Sequence, residues 1–228
     1  MDHDAHKRAA AEAAAAMIED GMVVGLGTGS TAHFAIDALI RRVHEGLRIR
    51  GIPTSERSAA QAREGGIPLT TFAEHRRLDL TIDGADEIQI GTLHLIKGLG
   101  GALLREKIVA AASDMLVIVA EERKLVRHLG ETAVVPVEVV SFGWETTADR
   151  LRRLGTEPEP RRDAAGGLFC TDGGNRILDC RFPPISDPAA LEQTIGQIVG
   201  VVEVGLFIGM AKLALVADDG GVQRLEAG

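Results

Sequence analysis

The residues best suited to chemistry in this 228-residue chain lie in one glycine-rich segment near its middle. A lysine and a series of accessible backbone N–H groups precede Glu106 in Lys97-Gly-Leu-Gly-Gly-Ala-Leu-Leu-Arg-Glu-Lys107. A carboxylate beside a cationic loop of N–H donors can move a proton next to a carbonyl, because the donors stabilise the oxyanion that forms. The segment therefore indicates proton transfer on a carbonyl compound.

A second segment has the composition of a phosphate-binding loop. Three glycines and three hydroxyl residues fall within Gly25-Leu-Gly-Thr-Gly-Ser-Thr31, between a strand-like run and a helical pattern. Its N–H groups and hydroxyls can meet an anion at the positive end of that helix. The loop matches neither the nucleotide-binding P-loop nor the dinucleotide fingerprint. A tight turn with a Ser or Thr cap is the alternative, and the composition favours a phosphate monoester.

Three carboxylates crowd a third segment, Asp83-Gly-Ala-Asp-Glu87, at the end of an apolar run. Their repulsion requires compensation by cations or hydroxyl donors. No calcium-loop pattern and no histidine pair accompanies them, so sugar hydroxyls are favoured and a metal ion is the lesser alternative. We expect neither a metal nor a cofactor.

The helix that carries Glu106 leaves two interpretations open. Its predicted core stripe is Leu104, Ile108 and Ala111, and Glu106 lies off that stripe, where a solvated surface carboxylate is the usual outcome. The glycine-rich run ahead of the helix favours the catalytic interpretation. Lys124, after a later strand, has the same two interpretations.

Strand-length apolar runs alternate with helical stretches between Met22 and Ala120. This alternation predicts an α/β fold, a Rossmann-like, mostly parallel sheet with helices on both faces. Ligands of such sheets bind at the carboxyl ends of strands. The loop at 25–31 and the acidic loop at 83–87 both fall at such ends.

Beyond residue 130 the order strand, helix, hairpin, helix, strand predicts a smaller α+β domain of the split-βαβ, ferredoxin-like type. Its hairpin turn is predicted at Asp172-Gly-Gly-Asn175, between strands at 168–170 and 176–180, and one strand is predicted at 201–206. We expect a large catalytic domain of residues 1–130 and 207–228 and a small domain of residues 131–206. The last strands, 213–217 and 222–225, are expected to return to the large sheet.

Composition excludes several classes of partner. With 45% hydrophobic residues the chain can bury a full core without disulfides. A net charge of -8 argues against nucleic acid and anionic membrane surfaces as partners. Cys170 and Cys180 form no metal motif and fit a reduced, cytoplasmic setting. The alanine-rich opening is interrupted by Glu12, which favours a soluble helix over a signal peptide.

Over nearly its whole length the chain resembles ribose-5-phosphate isomerases of type A. The segments that carry the resemblance are Gly25–Thr31, Gly51–Ser55, Asp83–Glu87, Lys97–Lys107, Lys124–Val126, Pro136–Val139, Thr171–Asp179 and Val202–Phe207. The resemblance implies interconversion of ribose 5-phosphate and ribulose 5-phosphate in the non-oxidative pentose phosphate pathway, without a cofactor, by a homodimer or homotetramer. Leu99 and Arg123 depart from the glycine and serine usual in the family.

By this resemblance Glu106 corresponds to the proton-transferring base, and Lys97, Asp83 and Asp86 complete the catalytic group. The positions that would contact substrate are Thr28, Gly29, Ser30, Thr31, Asp83, Gly84, Ala85, Asp86, Lys97, Gly98, Leu99, Gly100 and Lys124. The phosphate would dock on the loop at 28–31, and the two aspartates would hold hydroxyls and assist ring opening. Glu106 would move the proton from C2 to C1 while Lys97 and loop N–H groups stabilise an enediolate.

Two other functions remain open from the residues. Related architectures include sugar-phosphate deaminases, lactonases and coenzyme A transferases, the last of which use a glutamate nucleophile. A sugar-phosphate-sensing module without catalysis is the other alternative, and the presence of both Lys97 and Glu106 argues against it.

Overall fold

A computed structural model describes residues 3–228 of the chain and arranges them around three β-sheets. In chain order the elements are α1 (His3–Ala15), β1 (Val23–Leu26), α2 (Ser30–His44), β2 (Arg50–Pro53), α3 (Glu56–Glu64), β3 (Leu78–Asp83), β4 (Glu87–Gln89), β5 (Leu95–Ile96), α4 (Leu103–Ala111), β6 (Ser113–Glu121), a 3₁₀ turn (Glu122–Lys124), β7 (Leu125–Val126), β8 (Val135–Val139), α5 (Trp144–Arg152), β9 (Glu157–Pro160), β10 (Arg176–Arg181), α6 (Pro188–Gly196), β11 (Val201–Val204), β12 (Leu206–Phe207), β13 (Ala211–Asp218) and β14 (Gly221–Glu226).

The largest sheet has six strands in the order β14-β13-β6-β3-β1-β2, and only β14 runs antiparallel to its neighbour. Its central strands are apolar on both faces because helices cover both. Val117 and Val119 of β6 pack with α1 and α2, whereas Leu116 and Ile118 face the opposite side with Ala110 of α4. The predicted mostly parallel sheet is confirmed, including the return of the last two strands.

Parallel pairing brings the carboxyl ends of β1, β3 and β6 to one edge of this sheet. The loop after β1 passes directly over the end of β3, where the Gly27 N–H donates to Ile82 O at 3.0 Å. A Cβ at position 27 would lie 2.4 Å from Asp83 Oδ1, so only glycine allows this approach. The loop at 25–31 and the acidic loop at 83–87 are therefore in contact.

The second sheet is antiparallel, in the order β11-β8-β10-β9, and it is accompanied by α5 and α6. Counted within residues 135–204, the strand order is 4-1-3-2, which is the split-βαβ arrangement predicted. The predicted hairpin is wrong in its first strand, because β10 pairs with β9 and Leu168 makes only one isolated bridge, with Arg162. Strand β9 has the sequence Glu-Pro-Glu-Pro, which lacks strand-forming residues and is tolerated because β9 lies at the sheet edge.

A third sheet of short strands, β12-β5-β4-β7, lies between the other two. The single strand predicted over 201–206 is divided at Gly205, so that β11 and β12 belong to different sheets. The Gly205 N–H donates to Pro136 O at 2.7 Å and its carbonyl accepts from the Lys97 N–H at 2.9 Å. A Cβ at this position would lie 2.4 Å from Lys97 O, so a glycine is needed where the two sheets meet.

Glu87, the third carboxylate of the acidic loop, points away from the other two and is fully buried. Its oxygens accept hydrogen bonds from the N–H groups of Gly130, Thr132 and Ala133 and from the Thr132 hydroxyl, at 2.5–2.7 Å. The expected crowding of three carboxylates is thus relieved by turning one of them into a structural anchor. This anchor fixes the connection that leads into β8.

We expect Glu87→Ala to lower the free energy of unfolding by about 3–5 kcal/mol, because three N–H groups lose their acceptor and each such loss costs about 1–3 kcal/mol. Glu64→Ala, an exposed helical position, is the matched control and should change it by less than about 0.5 kcal/mol. Urea unfolding followed by circular dichroism measures both. Equal stability of the two variants would contradict the anchoring role.

Candidate active site

A small polar cleft opens at the carboxyl edge of the large sheet. Four connections form it: those after β1, β3, β5 and β6. The residues that line it are Thr28, Gly29, Ser30, Thr31, Gly84, Ala85, Asp86, Lys97, Gly98, Gly100, Glu106 and Lys124.

The wall nearest to β1 is the N-terminus of α2. Gly29 is the N-cap residue, with φ +123°, and no side chain caps the helix. The Ser or Thr cap considered from the sequence is therefore wrong, and the first N–H groups of α2 remain available beside the cleft. Together with the helix dipole they favour an anion at this position.

The Thr28 hydroxyl, expected to face an anion, is instead buried in a network of hydroxyl groups. It contacts the hydroxyl oxygens of Thr54 (2.7 Å), Ser55 (2.8 Å) and Ser58 (3.1 Å). The Ser58 hydroxyl in turn donates to Gly27 O at 2.7 Å. This network holds the loop against β2 and α3, and the sequence reasoning missed it, although Ser55 is recognisable as the N-cap of α3.

Glu106 lies on the buried face of α4 and is only 2% exposed. The predicted core stripe of this helix is wrong, since Ile108 is 48% exposed while Leu103 and Val109 are buried. Apolar residues of α4 lie on nearly every side of the helix, so the periodicity of the sequence could not select its buried face. The inward face carries Glu106 because a lysine is there to compensate its charge.

That lysine is Lys97, also 2% exposed. Its Nζ lies 2.5 Å from Gly84 O, 3.0 Å from Asp83 Oδ2 and 3.5 Å from Glu106 Oε2. Burial lowers the pKa of Lys97, but the Asp83 and Glu106 carboxylates outweigh it and raise that pKa to about 12. The side chain is therefore a permanent cation.

Asp83 is buried behind Lys97 and does not line the cleft. Its Oδ1 accepts from the N–H groups of Thr28 at 3.0 Å and Gly84 at 2.8 Å, which ties the loop at 25–31 to the acidic loop. Burial raises the pKa of Asp83, and Lys97 opposes the rise. Asp86 does line the cleft, and its Oδ2 accepts from the Leu99 N–H at 2.9 Å.

Burial, the largest influence, raises the pKa of Glu106 from its ordinary 4.5 to about 8, against the opposing effect of Lys97. The negative charges of Asp83 and Asp86 add to the rise. Within residues 3–228, Glu106 Oε2 is a buried atom without a hydrogen-bond partner. A carboxyl group poised near neutral pH and open to the cleft can both accept and return a proton.

The glycine loop from Lys97 to Gly101 offers fewer donors than its sequence suggests. The Leu99 N–H is taken by Asp86, and the Gly101 N–H by Gly98 O at 3.0 Å. Gly98 and Gly100 line the cleft, and in the described part of the chain no acceptor bonds either N–H. The Leu99 side chain is 45% exposed and does not line the cleft.

The structure brings together nearly all the predicted site residues. All twelve lining residues were predicted, including Lys124 at the end of the 3₁₀ turn, and of the predicted set only Asp83 and Leu99 do not reach the cleft surface. Besides the hydroxyl network, the sequence reasoning missed Arg161, whose guanidinium contacts the backbone of the glycine loop. No local signal marks it, because the contact spans 63 residues of sequence.

Fold and cleft together indicate a class: an α/β enzyme with a small polar cleft suited to an anionic ligand. Residues 50–221 match the family model described as Ribose 5-phosphate isomerase A (phosphoriboisomerase A). Ribose-5-phosphate isomerase A of Gloeobacter violaceus is 60% identical over 225 residues, which cover 99% of this chain and 97% of that protein.

Two solved structures are similar throughout. Ribose 5-phosphate isomerase A from Methanocaldococcus jannaschii superimposes with a TM-score of 0.94 at 40% identity, covering 97% of this chain and 98% of that one. A D-ribose-5-phosphate isomerase in complex with phospho-erythronic acid gives a TM-score of 0.96 at 37% identity, covering 99% and 100%. The chain belongs to the ribose 5-phosphate isomerase A family. The predicted enzyme class, an isomerase of ribose 5-phosphate, is confirmed.

Two kinds of feature are absent from residues 3–228. No helix there is long and apolar enough to cross a membrane. No group of three or more His, Cys, Asp or Glu side chains there is arranged to hold a metal ion. That the reaction needs neither a metal nor a cofactor stays a prediction.

The raised pKa of Glu106 predicts a stability cost that depends on pH. Below pH 4.5 the group is protonated whether the chain is folded or unfolded, and it costs nothing. Between pH 4.5 and about 8 the unfolded chain releases the proton and the folded chain keeps it, so stability falls, and above about pH 8 the full cost remains. Glu106→Gln removes this cost.

We therefore expect Glu106→Gln to raise the melting temperature over wild type more at pH 9 than at pH 5, by about 2–4 °C for each kcal/mol gained. Calorimetry at both pH values measures the difference, with Glu64→Gln as the matched surface control. A gain independent of pH would show that burial does not raise the pKa of Glu106.

Proposed function

We propose that this cleft interconverts ribose 5-phosphate and ribulose 5-phosphate through an enediolate, with Glu106 as the single acid–base group. The observation that carries the proposal is the buried Glu106 carboxyl, with a pKa near 8, 3.5 Å from a permanent ammonium and across a small cleft from an uncapped helix N-terminus. Phospho-erythronic acid, bound by one similar protein, carries a phosphate and a carboxylate at its two ends. In this cleft the N-terminus of α2 offers N–H donors to a phosphate, and Lys97 offers a cation to a carboxylate.

The phosphate docks at the N-terminus of α2, on the N–H groups and hydroxyls of Ser30 and Thr31. Lys124, which also lines the cleft, supplies the positive charge that a dianion needs. Thr28 contributes through its place in the buried hydroxyl network, which keeps the loop in position.

The sugar hydroxyls are held on the wall formed by Gly84, Ala85 and Asp86. Asp86 is the carboxylate that reaches them and assists opening of the furanose ring. Asp83 acts from behind, by holding the Lys97 ammonium 3.0 Å from its Oδ2. By the family resemblance alone both aspartates would hold hydroxyls and assist ring opening. In this mechanism Asp86 contacts the substrate and Asp83 positions Lys97.

In the open aldose, ionised Glu106 removes the proton from C2. The C2–H electron pair forms the C1=C2 bond, and the carbonyl π pair moves to O1, where Lys97 and the free N–H groups of Gly98 and Gly100 stabilise it. The O2 proton passes to O1, the Glu106 proton is delivered to C1, and C2=O2 completes ribulose 5-phosphate. General acid–base catalysis typically supplies about 10²–10⁴-fold, so the oxyanion donors and the phosphate anchor must supply the rest.

The wider context of the reaction is part of the proposal. We propose that the enzyme is a cytoplasmic homodimer or homotetramer of the non-oxidative pentose phosphate pathway and that it uses no metal or cofactor. We also propose two domains, residues 1–130 with 207–228 and residues 131–206, which correspond to the six-stranded sheet and the four-stranded antiparallel sheet.

We expect Glu106→Gln to lower kcat for ribose 5-phosphate by at least about 10²–10⁴-fold, with the substrate still bound, because only the proton acceptor is lost. A direct assay of ketose formation, run with and without a chelator, measures this, and Glu64→Gln should match wild type. The chelator should change nothing. A Glu106→Gln enzyme that keeps a tenth of the activity would exclude Glu106 as the base, and loss of activity in the chelator would exclude a metal-free reaction.

We expect kcat/KM to rise with pH along a titration with an apparent pKa of about 8, because only ionised Glu106 accepts the C2 proton. The substrate phosphate titrates near pH 6 and is separated from this step. In Asp86→Asn the titration should move to lower pH, since the Asp86 charge helps to raise the pKa of Glu106. A profile that is flat between pH 6 and 9 would argue against a base with this pKa.

A further inference from the structure

Arg161 connects the antiparallel sheet to the glycine loop of the cleft. It follows β9 directly, and its Nη1 donates to Gly98 O at 2.7 Å and to Leu99 O at 3.1 Å. The other edge of the guanidinium is fixed by Asp179 of β10, with Nε 2.9 Å from Oδ2 and Nη2 bonded to Oδ1. The side chain is only 12% exposed, so these contacts are made largely out of water.

Peptide geometry links the contact with Leu99 to the cleft. In a trans peptide group the C=O and N–H bonds point in opposite directions, and no peptide bond in the described residues is cis. The Leu99 carbonyl and the Gly100 N–H belong to one such group, so a carbonyl directed at Arg161 directs the Gly100 N–H away from it. Gly100 lines the cleft, and a Cβ added to it would lie 3.6 Å from Thr28 Cγ2, on another wall of the cleft.

The preceding peptide group is fixed at both ends. Its oxygen, Gly98 O, accepts from Arg161, and its Leu99 N–H donates to Asp86. These contacts hold two successive peptide planes in one orientation.

Such a clamp is needed because the loop sequence does not select an orientation by itself. Gly98 has φ +107° and Gly101 has φ +82°, and glycine adopts positive and negative φ about equally readily. A cation on the two carbonyl oxygens also polarises the peptide groups and makes their N–H bonds stronger donors.

We infer that Arg161, oriented by Asp179, is a positioning residue that aims the Gly100 N–H at the substrate oxyanion. The inference rests on the proposed function of the loop as an oxyanion site. It gives the antiparallel sheet a specific task in the reaction, which is to hold one wall of the cleft.

We expect Arg161→Met to lower kcat by about 10-fold or more, since loss of one oxyanion donor typically costs about 10²–10³-fold and a misaligned donor costs part of that. KM should stay within about 3-fold of wild type, because the phosphate and hydroxyl contacts lie elsewhere. Arg162→Met is the matched control: Arg162 is the next residue and is exposed, and within residues 3–228 its side chain bonds only Gly166 O. Arg161→Lys should fall between, because an ammonium keeps the charge but lacks the planar fork that spans the carboxylate on one side and the two carbonyls on the other.

Binding of two non-reacting probes separates positioning from general loosening of the loop. Phospho-erythronic acid presents a planar carboxylate in place of the enediolate, whereas ribitol 5-phosphate has a phosphate and only neutral hydroxyl groups in place of that carboxylate. Arg161→Met should weaken phospho-erythronic acid by about 10-fold or more while ribitol 5-phosphate changes by less than about 2-fold. Equal weakening of both probes, or unchanged kcat, would overturn the inference.

Asp179→Asn keeps the test available if Arg161→Met does not fold. It leaves the guanidinium in place but removes its anchor, so it should produce the same selective loss for phospho-erythronic acid to a smaller extent, and equal weakening of both probes would overturn the inference. The proposed function is judged separately. If wild type isomerises ribose 5-phosphate and Glu106→Gln does not, the function stands whatever Arg161→Met does.

Discussion

A single buried ammonium shared by two buried carboxylates sets the properties of the active site. Removing any of these charges from water is costly, and only mutual pairing makes the burial tolerable. Lys97 lies within ion-pair distance of both Asp83 and Glu106, so the group carries one positive charge for two negative ones. This shortage explains why burial still raises the pKa of Glu106 to about 8. A second cation would lower the pKa of Glu106 and weaken it as a base, and loss of Lys97 would raise that pKa further.

Several contacts from other parts of the structure fix the position of these three charged residues and of the loop from Lys97 to Gly101. Gly205 joins the backbone of Lys97 to that of Pro136, and the Phe169 ring lies 2.5 Å from where a Cβ of Gly101 would stand. On the far side of Glu106, Lys107 pairs at 2.8 Å with both Glu192 and Glu203, which ties α4 to α6 and β11. The antiparallel sheet and α6 therefore brace α4 and the loop from Lys97 to Gly101.

Local patterns predicted what depends on local physics. The alternation of apolar runs and helical stretches predicted the parallel sheet, and strand ends placed two of the cleft's loops, 25–31 and 83–87, at one edge. Strand β9 was missed because its edge position, not its residues, allows two prolines. The buried face of α4 was predicted wrongly because Ile108 and Leu104 look as apolar as Leu103 and Val109, and the choice among them depends on Lys97, which reaches the site from another element. Arg161 and Glu87 act through tertiary contacts that no sequence spacing reveals.

Hydrogen-bond satisfaction distinguishes structural carboxylates from functional ones in this protein. Glu87 is fully buried and accepts four hydrogen bonds, while Glu138 accepts from the Thr171 hydroxyl and the Asn175 amide at 2.9 Å. Among the buried side-chain nitrogen and oxygen atoms of residues 3–228, only Asp83 Oδ2 and Glu106 Oε2 lack a hydrogen-bond partner. Both lie within 3.5 Å of Lys97 Nζ, close enough for charge attraction but without hydrogen-bond geometry. Folding alone would favour satisfying such atoms, as it does for Glu87. In the proposed mechanism the free oxygen on the buried Glu106 carboxyl takes the proton from the substrate, so this unsatisfied atom is where stability would be given up for reactivity.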